Sequence, residues 1–552
     1  MRAAVAVVVF CAVVFAVLPL LLCLGVVVGL PHGVDASALA VVAETKNLRA
    51  LWESVTVSAG AVVVAVVVGV PWALLVERTD VPGRRALSAL GALPLAIPPY
   101  ILAFAYRALY DDKIGLVPFF VDVDSRAGIV VVLGVAFLPL VILRLRASLA
   151  AIDGSLEEAA RTAGASPVRA LVDHTLPLLL PSLLSSMALV FVAAAASWGV
   201  PVLLGLAADP PVVVVTARIA VALQGGALKE AIALSLGLAV VAGVAFALPA
   251  FLVRNRNVVV VSGKAQRKQA LPLGRARVVV GVVAWAVAVA TVVGPLCALV
   301  VQGLLQKSGA GISVDNLGVS HVVAVVGRDD VRAAAVTSFA LAVVAALVVV
   351  AASVVVGWAV RQPALEPGAR AARAAVNVVK GSAELVYALP GTIVAVALVL
   401  AFSREVRVIV AEHVTFALVL GGSVALVGVA YAVKHAALGL RAVDEALQQL
   451  HPSLEEAARV VGASAGRAFV DVTLPLLRPH LTAAAVAIAL PCFTELTMSV
   501  LLQAPGTQTL GVVLFGLYEY GDPQQAMALS ALLVVVVLLA QLAIARLRRS
   551  AP

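Results

Sequence analysis

The chain has 552 residues, of which 63% are hydrophobic and only 12% are charged. Soluble domains average about 45–50% apolar and about 25% charged residues, so this composition, with a mean hydropathy of +1.11, excludes an ordinary soluble protein. The formal net charge is +9. In so apolar a chain that charge indicates membrane topology, because nucleic-acid binding needs a folded basic surface for which there is little room.

Apolar stretches long enough to cross a bilayer, which takes about 20 helical residues, recur along the whole sequence. They lack the alternation of transmembrane β-strands, so we predict an all-α polytopic membrane protein with about 12 transmembrane helices. The first, too long for a signal peptide, is kept as an anchor. The first six spans cover residues 3–30, 55–76, 86–106, 128–149, 183–206 and 231–253. The second six cover residues 278–304, 334–360, 383–401, 414–436, 481–502 and 526–545.

Basic residues predict the orientation, since Lys and Arg are retained on the cytoplasmic side during insertion. With the N-terminus inside, 27 of the 39 Lys and Arg residues fall in segments that would be cytoplasmic. We therefore expect both termini in the cytoplasm. The segments are Arg2, the loops 78–85, 144–169, 254–277, 361–380 and 434–478, and the tail 546–549.

One segment of the chain is duplicated. Residues 156–183 read LEEAARTAGASPVRALVDHTLPLLLPSL and residues 454–481 read LEEAARVVGASAGRAFVDVTLPLLRPHL, which match at 20 of 28 positions with an offset of 298. Six predicted spans separate the copies, and because six is even the two copies face the same side as parallel repeats. We divide the chain into a first domain, 1–255, a basic linker, 256–277, and a second domain, 278–552. The repeated loops are 153–181 and 451–479.

Each copy has the pattern of two short helices. A serine with a glutamate three residues later has capping-box spacing and predicts a helix start. Gly164 and Gly462 are expected to end that helix in the left-handed conformation. Ser166 and Ser464 then begin a second helix, and the capping-box pairs are Ser155 with Glu158 and Ser453 with Glu456.

The first short helix is expected to expose Glu157 in one copy and Glu455 in the other, each near two alanines. Small side chains let a partner backbone approach, and the carboxylate can bind a basic residue. The alternative is an ordinary amphipathic loop with solvated charges. Duplication in the same orientation favours docking.

The strings EEAARTAGAS with TLPLLLP and EEAARVVGAS with TLPLLRP resemble the EAA loop of inner-membrane permeases in binding-protein-dependent ABC importers. In that family the loop forms a coupling helix that fits a groove on a cytoplasmic ATPase subunit and moves with it. The resemblance covers almost the whole chain as two permease domains, and it implies a type I ABC importer permease fold in the bacterial cytoplasmic (inner) membrane. The residues implied to contact the ATPase are Glu157, Glu158, Ala159, Ala160, Gly164, Glu455, Glu456, Ala457, Ala458 and Gly462.

The resemblance also implies the partners: two copies of the ATP-binding subunit, one per loop, and an external substrate-binding protein. The sequence has no GxxxxGK[ST] phosphate loop and no cytoplasmic segment large enough for a nucleotide domain. We therefore expect a permease and not an enzyme, with no cofactor bound by this chain and ATP-Mg used by the partner. The lipid bilayer is its solvent, and no nucleic-acid partner is expected.

Helix-breaking residues occur at equivalent places in the third and ninth spans, and such residues are tolerated in a membrane only beside protein or a water-filled path. They are Pro98 and Pro99 in AIPP, and Pro390 and Gly391 in ALPG. We expect them either to line a central passage or to be packing kinks.

Two carboxylates lie within apolar spans, where a charge is costly. Glu495 corresponds to Ser197 at the repeat offset, and it is expected either on the translocation path or in an inter-helix hydrogen bond. Glu384 is expected either to snorkel to the nearby cytoplasmic end or to pair with Lys380, four residues earlier on the helix. The acidic outer residues 111, 112, 122 and 124 either meet a basic patch on a binding protein or are simply solvated.

The segments PLAIPPYILAFAY, ELVYALPGTIVAVAL and FTELTMSVLLQAPGTQTLGVVLFGLYEYGD resemble ferric-iron importers, with thiamine and phosphonate importers as close relatives. Ferric iron is the expected substrate, with thiamine or phosphonate as the alternative. No ligand-spaced cluster indicates a metal site, and the four cysteines lie singly in apolar spans as packing residues. An ion-gradient-driven secondary transporter would explain the spans but not the paired loops. A membrane enzyme would need a catalytic constellation, and no catalytic residue can be assigned.

Overall fold

The computed structural model consists mainly of long helices. It describes residues 2–28, 36–111, 115–117, 122–152, 162–164, 166, 169, 171–253, 271–307, 310, 312–361, 369–402, 406–410, 413–418, 420–503, 506 and 508–550. In the first half the helices are α1 Arg2–Ala12, α2 Leu18–Val28, α3 Ala36–Ala43, α4 Thr45–Arg78, α5 Arg84–Ala92, α6 Pro99–Tyr110, α7 Arg126–Ala151, α8 Leu176–Ala196, α9 Val215–Gln224 and α10 Leu228–Val253.

The second half repeats this pattern and adds a small hairpin. Its helices are α11 Arg277–Ala288, α12 Gly294–Leu304, α13 Ser320–Gly327, α14 Asp329–Val360, α15 Ala369–Ala388, α16 Gly391–Phe402, α17 Val424–Gln448, α18 Ser453–Val460, α19 Ala465–Ala468, α20 Leu474–Phe493, α21 Thr497–Leu502, α22 Leu510–Tyr520 and α23 Pro523–Ser550. Strands β1 Val406–Val410 and β2 His413–Leu418 pair antiparallel. Short π-helical turns occupy Leu171–Thr175 and Phe469–Thr473, the same place in each repeat.

Among the described residues, nine helices are long and apolar enough to cross a membrane, and the number is eleven if each of two sharply bent pairs is one span. Each overlaps one of the predicted spans, and residues 2–28, which cover most of the first predicted span, are also helical, through a π-helical turn at Val13–Val17. The polytopic, predominantly helical architecture is therefore confirmed.

Three predicted spans are displaced. The spans predicted at 183–206 and 481–502 are instead the helices Asp173–Ala196 and Ala465–Phe493, because apolar composition continues past the point where each helix breaks. The predicted start of the tenth span, at 414, was wrong. The first residues of the predicted span form β2, a run rich in β-branched and aromatic residues. Helix α17 begins only after Ser423, whose hydroxyl accepts from the Leu426 amide at 3.4 Å.

Contacts at both ends of α4 and α7 show that these helices are parallel. Arg126 at the start of α7 binds Glu53 near the start of α4. Arg146 near the end of α7 lies 3.3 Å from the carboxylate of Glu77, near the end of α4. The first repeated loop follows α7, so it leaves the bundle at the face where α4 ends. We call this the loop face, and the opposite one the far face.

The second repeated loop leaves at the same face. The Leu271 amide donates to the Arg78 carbonyl at 2.8 Å, so the second half starts at the loop face. Helices α11 and α12 then lead to the far face, where Gly318 bonds back to Leu304. Helix α14 returns, and Arg361 after its end donates to the Leu450 carbonyl beyond α17 at 2.9 Å. The repeats are parallel, as predicted.

A buried serine in each half holds the start of a short helix. The Ser54 hydroxyl on α4 accepts from the Val215 amide at the start of α9, at 2.8 Å. The Ser338 hydroxyl on α14 accepts from the Leu510 amide at the start of α22, also at 2.8 Å. Helix starts have unsatisfied backbone donors, so the long helix of each half supplies the missing acceptor. The two halves are built on one plan that extends beyond the duplicated segment.

The two halves meet through aromatic side chains at the centre of the molecule. Trp198 and Phe515 have ring centroids 5.1 Å apart, and Phe104 and Tyr518 are 4.7 Å apart. Each pair joins one residue from the first half to one from the second. Such tilted contacts contribute about 0.5–1.5 kcal/mol beyond area burial, so the interface between halves is a packed core.

Replacing Ser338 with Ala is expected to lower the free energy of unfolding by about 1–3 kcal/mol, the usual effect of leaving a buried donor unsatisfied. The measurement is denaturant or thermal unfolding of the protein in detergent. Thr337→Ala is the matched control, because the exposed Thr337 hydroxyl bonds only the Ala333 carbonyl of its own helix. Equal stability of the two variants would contradict the assignment.

Candidate functional site

The second repeated loop consists of α18 and α19, as predicted, but α18 starts differently. Ser453 is the first helical residue and not the cap, so the predicted capping box was wrong in this copy. The His451 ring nitrogen Nδ1 lies 3.2 Å from the Ser453 amide and acts as its acceptor. A side chain two residues earlier therefore satisfies the helix start.

The predicted glycine stop is confirmed in both copies. Gly462 has φ 96° and Gly164 has φ 91°, in the left-handed region that favours glycine. The Gly462 amide donates to the Arg459 carbonyl and the Ala463 amide to the Ala458 carbonyl, both at 3.0 Å, which is a Schellman motif.

The predicted restart of the helix is confirmed as well. The Ser464 hydroxyl accepts from the Arg467 amide at 3.3 Å, and the Ser166 hydroxyl accepts from the Arg169 amide at the same distance. Both serines are thus caps of the second short helix.

The two neighbouring glutamates of α18, Glu455 and Glu456, lie on different faces of the helix. The Glu455 side chain is 16% exposed, and its Oε1 lies 3.5 Å from Arg361 Nη1 and accepts from the Thr473 hydroxyl at 2.5 Å. The prediction that Glu455 is the exposed anchor was therefore wrong. Glu456 is exposed. Adjacent helical residues point about 100° apart, so a packed Glu455 leaves Glu456 on the outer surface.

The outer surface of the second loop is partly apolar. Val460 and Val461 are 87% and 86% exposed, and Ala457 is exposed beside a half-buried Ala458. A cleft of about 560 Å³ runs between α18 and α19. It is lined by Glu456, Arg459, Val460, Ala463, Ser464 and Ala465. An exposed valine pair with a carboxylate and a guanidinium beside it is a surface suited to a protein partner.

The first repeated loop is described only in part. Glu157, Glu158, Ala159 and Ala160 lie outside the described residues. Thr162 and Ala163, at the positions of the two valines, are exposed. The two loops therefore present different side chains at the end of the first short helix.

The predicted helix-breaking segments divide two spans sharply. Helices Arg84–Ala96 and Pro99–Tyr110 meet at 114°, and Arg373–Ala388 and Gly391–Phe402 meet at 117°. Pro98 lies at the first break and Pro390 at the second. These bends far exceed a packing kink, and their similarity shows that both halves have the same broken span.

Broken segments of the two halves contact each other. The Tyr100 hydroxyl, just after the first break, donates to the Thr494 carbonyl at 3.2 Å. A Cβ added to Gly199 would lie 2.9 Å from Tyr100 Cβ, and one added to Gly391 would lie 3.3 Å from Met498 Cγ. The Pro98, Pro390 and 494–499 segments thus form one central region with little room between backbones.

Lys434 supplies the charge at the second break. The predicted tenth span ended only two residues after Lys434, where the cytoplasmic loop was expected to begin, whereas the structure places Lys434 well inside the span Val424–Gln448. Its ammonium donates to the Leu389 carbonyl, and to the Tyr387 carbonyl at 3.0 Å. A third bond reaches Val386 at 3.4 Å. These are the freed carbonyls at the end of α15, where a cation is favoured. An ionisable residue inside an apolar run was the visible signal.

Glu495 and Ser197 occupy equivalent breaks but make different bonds. The Glu495 carboxylate accepts from the Met498 amide at 2.8 Å and the Ser499 amide at 2.9 Å, so it caps the start of α21. The Ser197 carbonyl accepts from the Thr216 hydroxyl at 3.0 Å. Glu495 also lies close enough to Lys434 for an electrostatic interaction. The second half alone carries this pair of opposite charges, because Lys434 corresponds to Ala136 at the repeat offset.

The prediction for Glu384 was wrong in its partner. Glu384 binds Arg441 through both carboxylate oxygens, and Lys380 lies 2.6 Å from the carboxylate of Asp444. Both pairs bridge α15 and α17 instead of following one helix. Charged pairs at this depth must face water or protein and not lipid.

The acidic outer residues are partly engaged within the protein. Arg107 binds Asp124 and lies 3.6 Å from the carboxylate of Asp111. Burial raises the pKa of Asp124 above its ordinary value, against the opposing effect of Arg107. Asp112 lies outside the described residues. Two of the four predicted contacts for a binding protein thus also hold α6 in place.

A cavity of about 790 Å³ lies between the halves at the far face. Helix α14 has 32 residues, which span about 48 Å; its start lines the cavity and its end meets the second loop. Polar residues from both halves line it together with the aromatic pair Trp198 and Phe515. They include Arg218, Arg328, Asp330, Gln503, Gln508 and Glu519. This cavity was not predicted from the sequence, since its residues come from distant segments.

Both arginines of the cavity are paired with carboxylates. Arg328 binds Asp330 at 3.0 and 2.8 Å, and this bond raises the pKa of Arg328 further. Arg218 lies 2.9 Å from the carboxylate of Glu230. Within the described ranges, no group of three or more His, Cys, Asp or Glu side chains is placed to hold a metal ion.

Comparison with known proteins assigns the architecture. Residues 61–308 and 364–550 each match the family described as binding-protein-dependent transport system inner membrane component. A ferric transport system permease protein of Actinobacillus pleuropneumoniae is 24% identical over 520 residues, which cover 89% of this chain and 70% of the relative. A putative ferric transport system permease protein of Haemophilus influenzae is 24% identical over 493 residues, covering 84% and 71%.

A second kind of relative matches a shorter part of the chain. A molybdate/tungstate transport system permease protein of Thermococcus kodakarensis is 30% identical over 138 residues. That match covers 25% of this chain and 53% of the relative.

Proposed function

The chain belongs to the family of binding-protein-dependent transport system inner membrane components, and we propose that it imports ferric iron with energy from a separate ATPase. The observation that carries the iron assignment is the extent of the likeness: the ferric relatives align with 89% and 84% of the chain, through both halves. The molybdate/tungstate relative aligns with only a quarter of it.

In this proposal the loop face is cytoplasmic and both termini lie there. The basic residues of the loops support this orientation, since positive charge is retained inside. Substrate released by an external binding protein enters the cavity at the far face. It then passes the central region, where the broken spans meet, and leaves between α15 and α17, whose ion pairs line a polar route. Metal ions here are cargo and not resident cofactors.

The second loop is proposed to dock one of two ATPase copies through its outer surface. Val460 and Val461 supply the apolar contact, and Glu456 supplies the anchor for a basic partner residue. The first loop is proposed to dock the other copy. ATP-Mg is bound and hydrolysed in those subunits.

An oxyanion importer is the second candidate, favoured by the 30% identity to the molybdate/tungstate relative and by the two arginines in the cavity. The pairing of both arginines with carboxylates weakens this candidate, because a paired guanidinium has less charge to offer an anion. Glu495 in the central region suits a cation.

The substrate is tested by reconstituting the chain with its own ATPase and binding protein in liposomes. We expect ATP-dependent uptake of radioactive ferric iron and background uptake of molybdate. Liposomes without ATP are the control. Molybdate uptake without iron uptake would assign the oxyanion function instead.

The docking surface is tested by the double variant Glu456→Arg with Val460→Asp. We expect it to lose the ATPase on copurification, because a repulsive charge and a desolvation cost are placed in the contact. Glu445→Arg, an exposed glutamate on α17, is the matched control and should keep the ATPase. Retention by both variants would show that the partner docks elsewhere.

Glu495→Gln keeps the size of the side chain but removes its charge. We expect cation uptake per folded complex to fall about tenfold or more, since each 1.36 kcal/mol lost in the rate-limiting step is a factor of ten, while ATPase binding stays near wild type. Ser197→Ala, at the equivalent break, is the control. Unchanged uptake by Glu495→Gln would remove this carboxylate from the route.

A further inference from the structure

Arg361 joins the ends of two transmembrane helices at the loop face. It follows the last residue of α14 and donates to the carbonyls of Leu447 and Leu450, the latter at 2.9 Å. These carbonyls lie at and just beyond the end of α17, and the Leu447 carbonyl also accepts from the Leu450 amide at 3.2 Å; an arginine there stabilises a helix end. The Arg361 side chain is only 15% exposed. It is thus a packed connection and not a solvated charge.

The same guanidinium reaches the second loop. Its Nη1 lies 3.5 Å from Oε1 of Glu455 on α18. That oxygen also accepts from the Thr473 hydroxyl at 2.5 Å, and Thr473 is 2% exposed at the start of α20. The Glu455 carboxylate therefore connects α18 with α14 and α20, and Arg361 also connects these helices with the end of α17. Thr175, at the equivalent position of the first repeat, is buried in the same way.

We propose that Arg361, Glu455 and Thr473 form a latch through which movement of α18 is transmitted to α14, α17 and α20. The proposal rests on the proposed function, in which α18 follows an ATPase. The connections flanking α18 are short bends, one of them at Gly462 with φ 96°. The latch is the polar connection from the inward face of α18 to the spanning helices. Charge-assisted bonds between partly buried groups resist separation more than exposed ones.

The two glutamates then have different tasks. Glu456 faces outward and meets the ATPase, whereas Glu455 faces inward and holds the transmembrane helices. Loss of the Glu456 contact should prevent assembly with the ATPase. Loss of the Glu455 contacts should leave an assembled complex that hydrolyses ATP without moving substrate. All three latch residues are positioning residues, since none contacts the substrate.

The test compares Glu455→Gln with Glu456→Gln in the reconstituted complex with its ATPase and binding protein. Three quantities are measured: the ATPase retained, the ATP hydrolysed, and the substrate taken up per ATP. We expect Glu455→Gln to retain the ATPase and its hydrolysis, with uptake per ATP lowered at least about fivefold, the lower end of a typical coupling free energy. Glu456→Gln should instead retain less ATPase, whereas Glu445→Gln, at an exposed glutamate on α17, is the control and should leave all three quantities unchanged.

Thr473→Val and Thr473→Ser keep the test decisive if charge removal at Glu455 impairs folding. Valine has nearly the shape of threonine without the hydroxyl, so it should lower uptake per ATP, and serine should restore it. Arg361→Lys should also lower it, because an ammonium cannot reproduce the fork of bonds that Arg361 makes. A double-mutant cycle between Arg361→Lys and Glu455→Gln should be non-additive.

Wild-type uptake per ATP in Glu455→Gln and in Thr473→Val would overturn the latch while leaving the importer intact. A wild-type complex that neither binds an ATPase nor uses ATP would instead overturn the proposed function. The two failures are therefore distinguished within one set of measurements.

Discussion

The constraint on which the structure depends is that backbone groups in a bilayer must find partners within the protein. Two spans are broken at more than 110°, and each break frees carbonyls on one side and amides on the other. Lys434 binds the carbonyls before Pro390, at the second of these breaks. At a further break, between α20 and α21, Glu495 binds the amides at the start of α21. Ser54 and Ser338 do the same for α9 and α22. The polar residues of the membrane region are thus first of all the partners of a broken backbone.

This requirement also accounts for the asymmetry of the halves. The scaffold is repeated, as the paired serines and equal bends show, but the charges are not. Lys434 and Glu495 stand where the first half has Ala136 and Ser197, so this pair of charges enters the central region from the second half. A fused chain permits this, because its halves can change independently while the helices that carry them keep the same packing.

The sequence predicted the features that depend on local backbone chemistry. Gly462 and Gly164 were assigned from the left-handed conformation that glycine tolerates, and Pro98 and Pro390 from the missing donor of proline. The sequence-based prediction failed where contacts with residues distant in the chain determine the orientation of a side chain. Nothing near Glu455 shows that Arg361 and Thr473 lie on its inner side, so the exposed glutamate was chosen wrongly. The start of the tenth span was predicted wrongly because the residues of β2 are as apolar as those of a transmembrane helix.

The cavity and the latch could not be predicted for the same reason, yet α14 connects them. Arg361 follows the last residue of this helix, and Arg328, bound to Asp330, precedes its first. A continuous helix of 32 residues resists sharp bending because bending lengthens the backbone hydrogen bonds on its convex side. A displacement imposed at the loop face is therefore felt at the far face, on the wall of the cavity. At the loop face Arg361 joins α14 to α17 and α18. Nearer the far face the Ser338 hydroxyl holds the start of α22, which lines the cavity, so both ends of α14 are bonded to neighbouring helices.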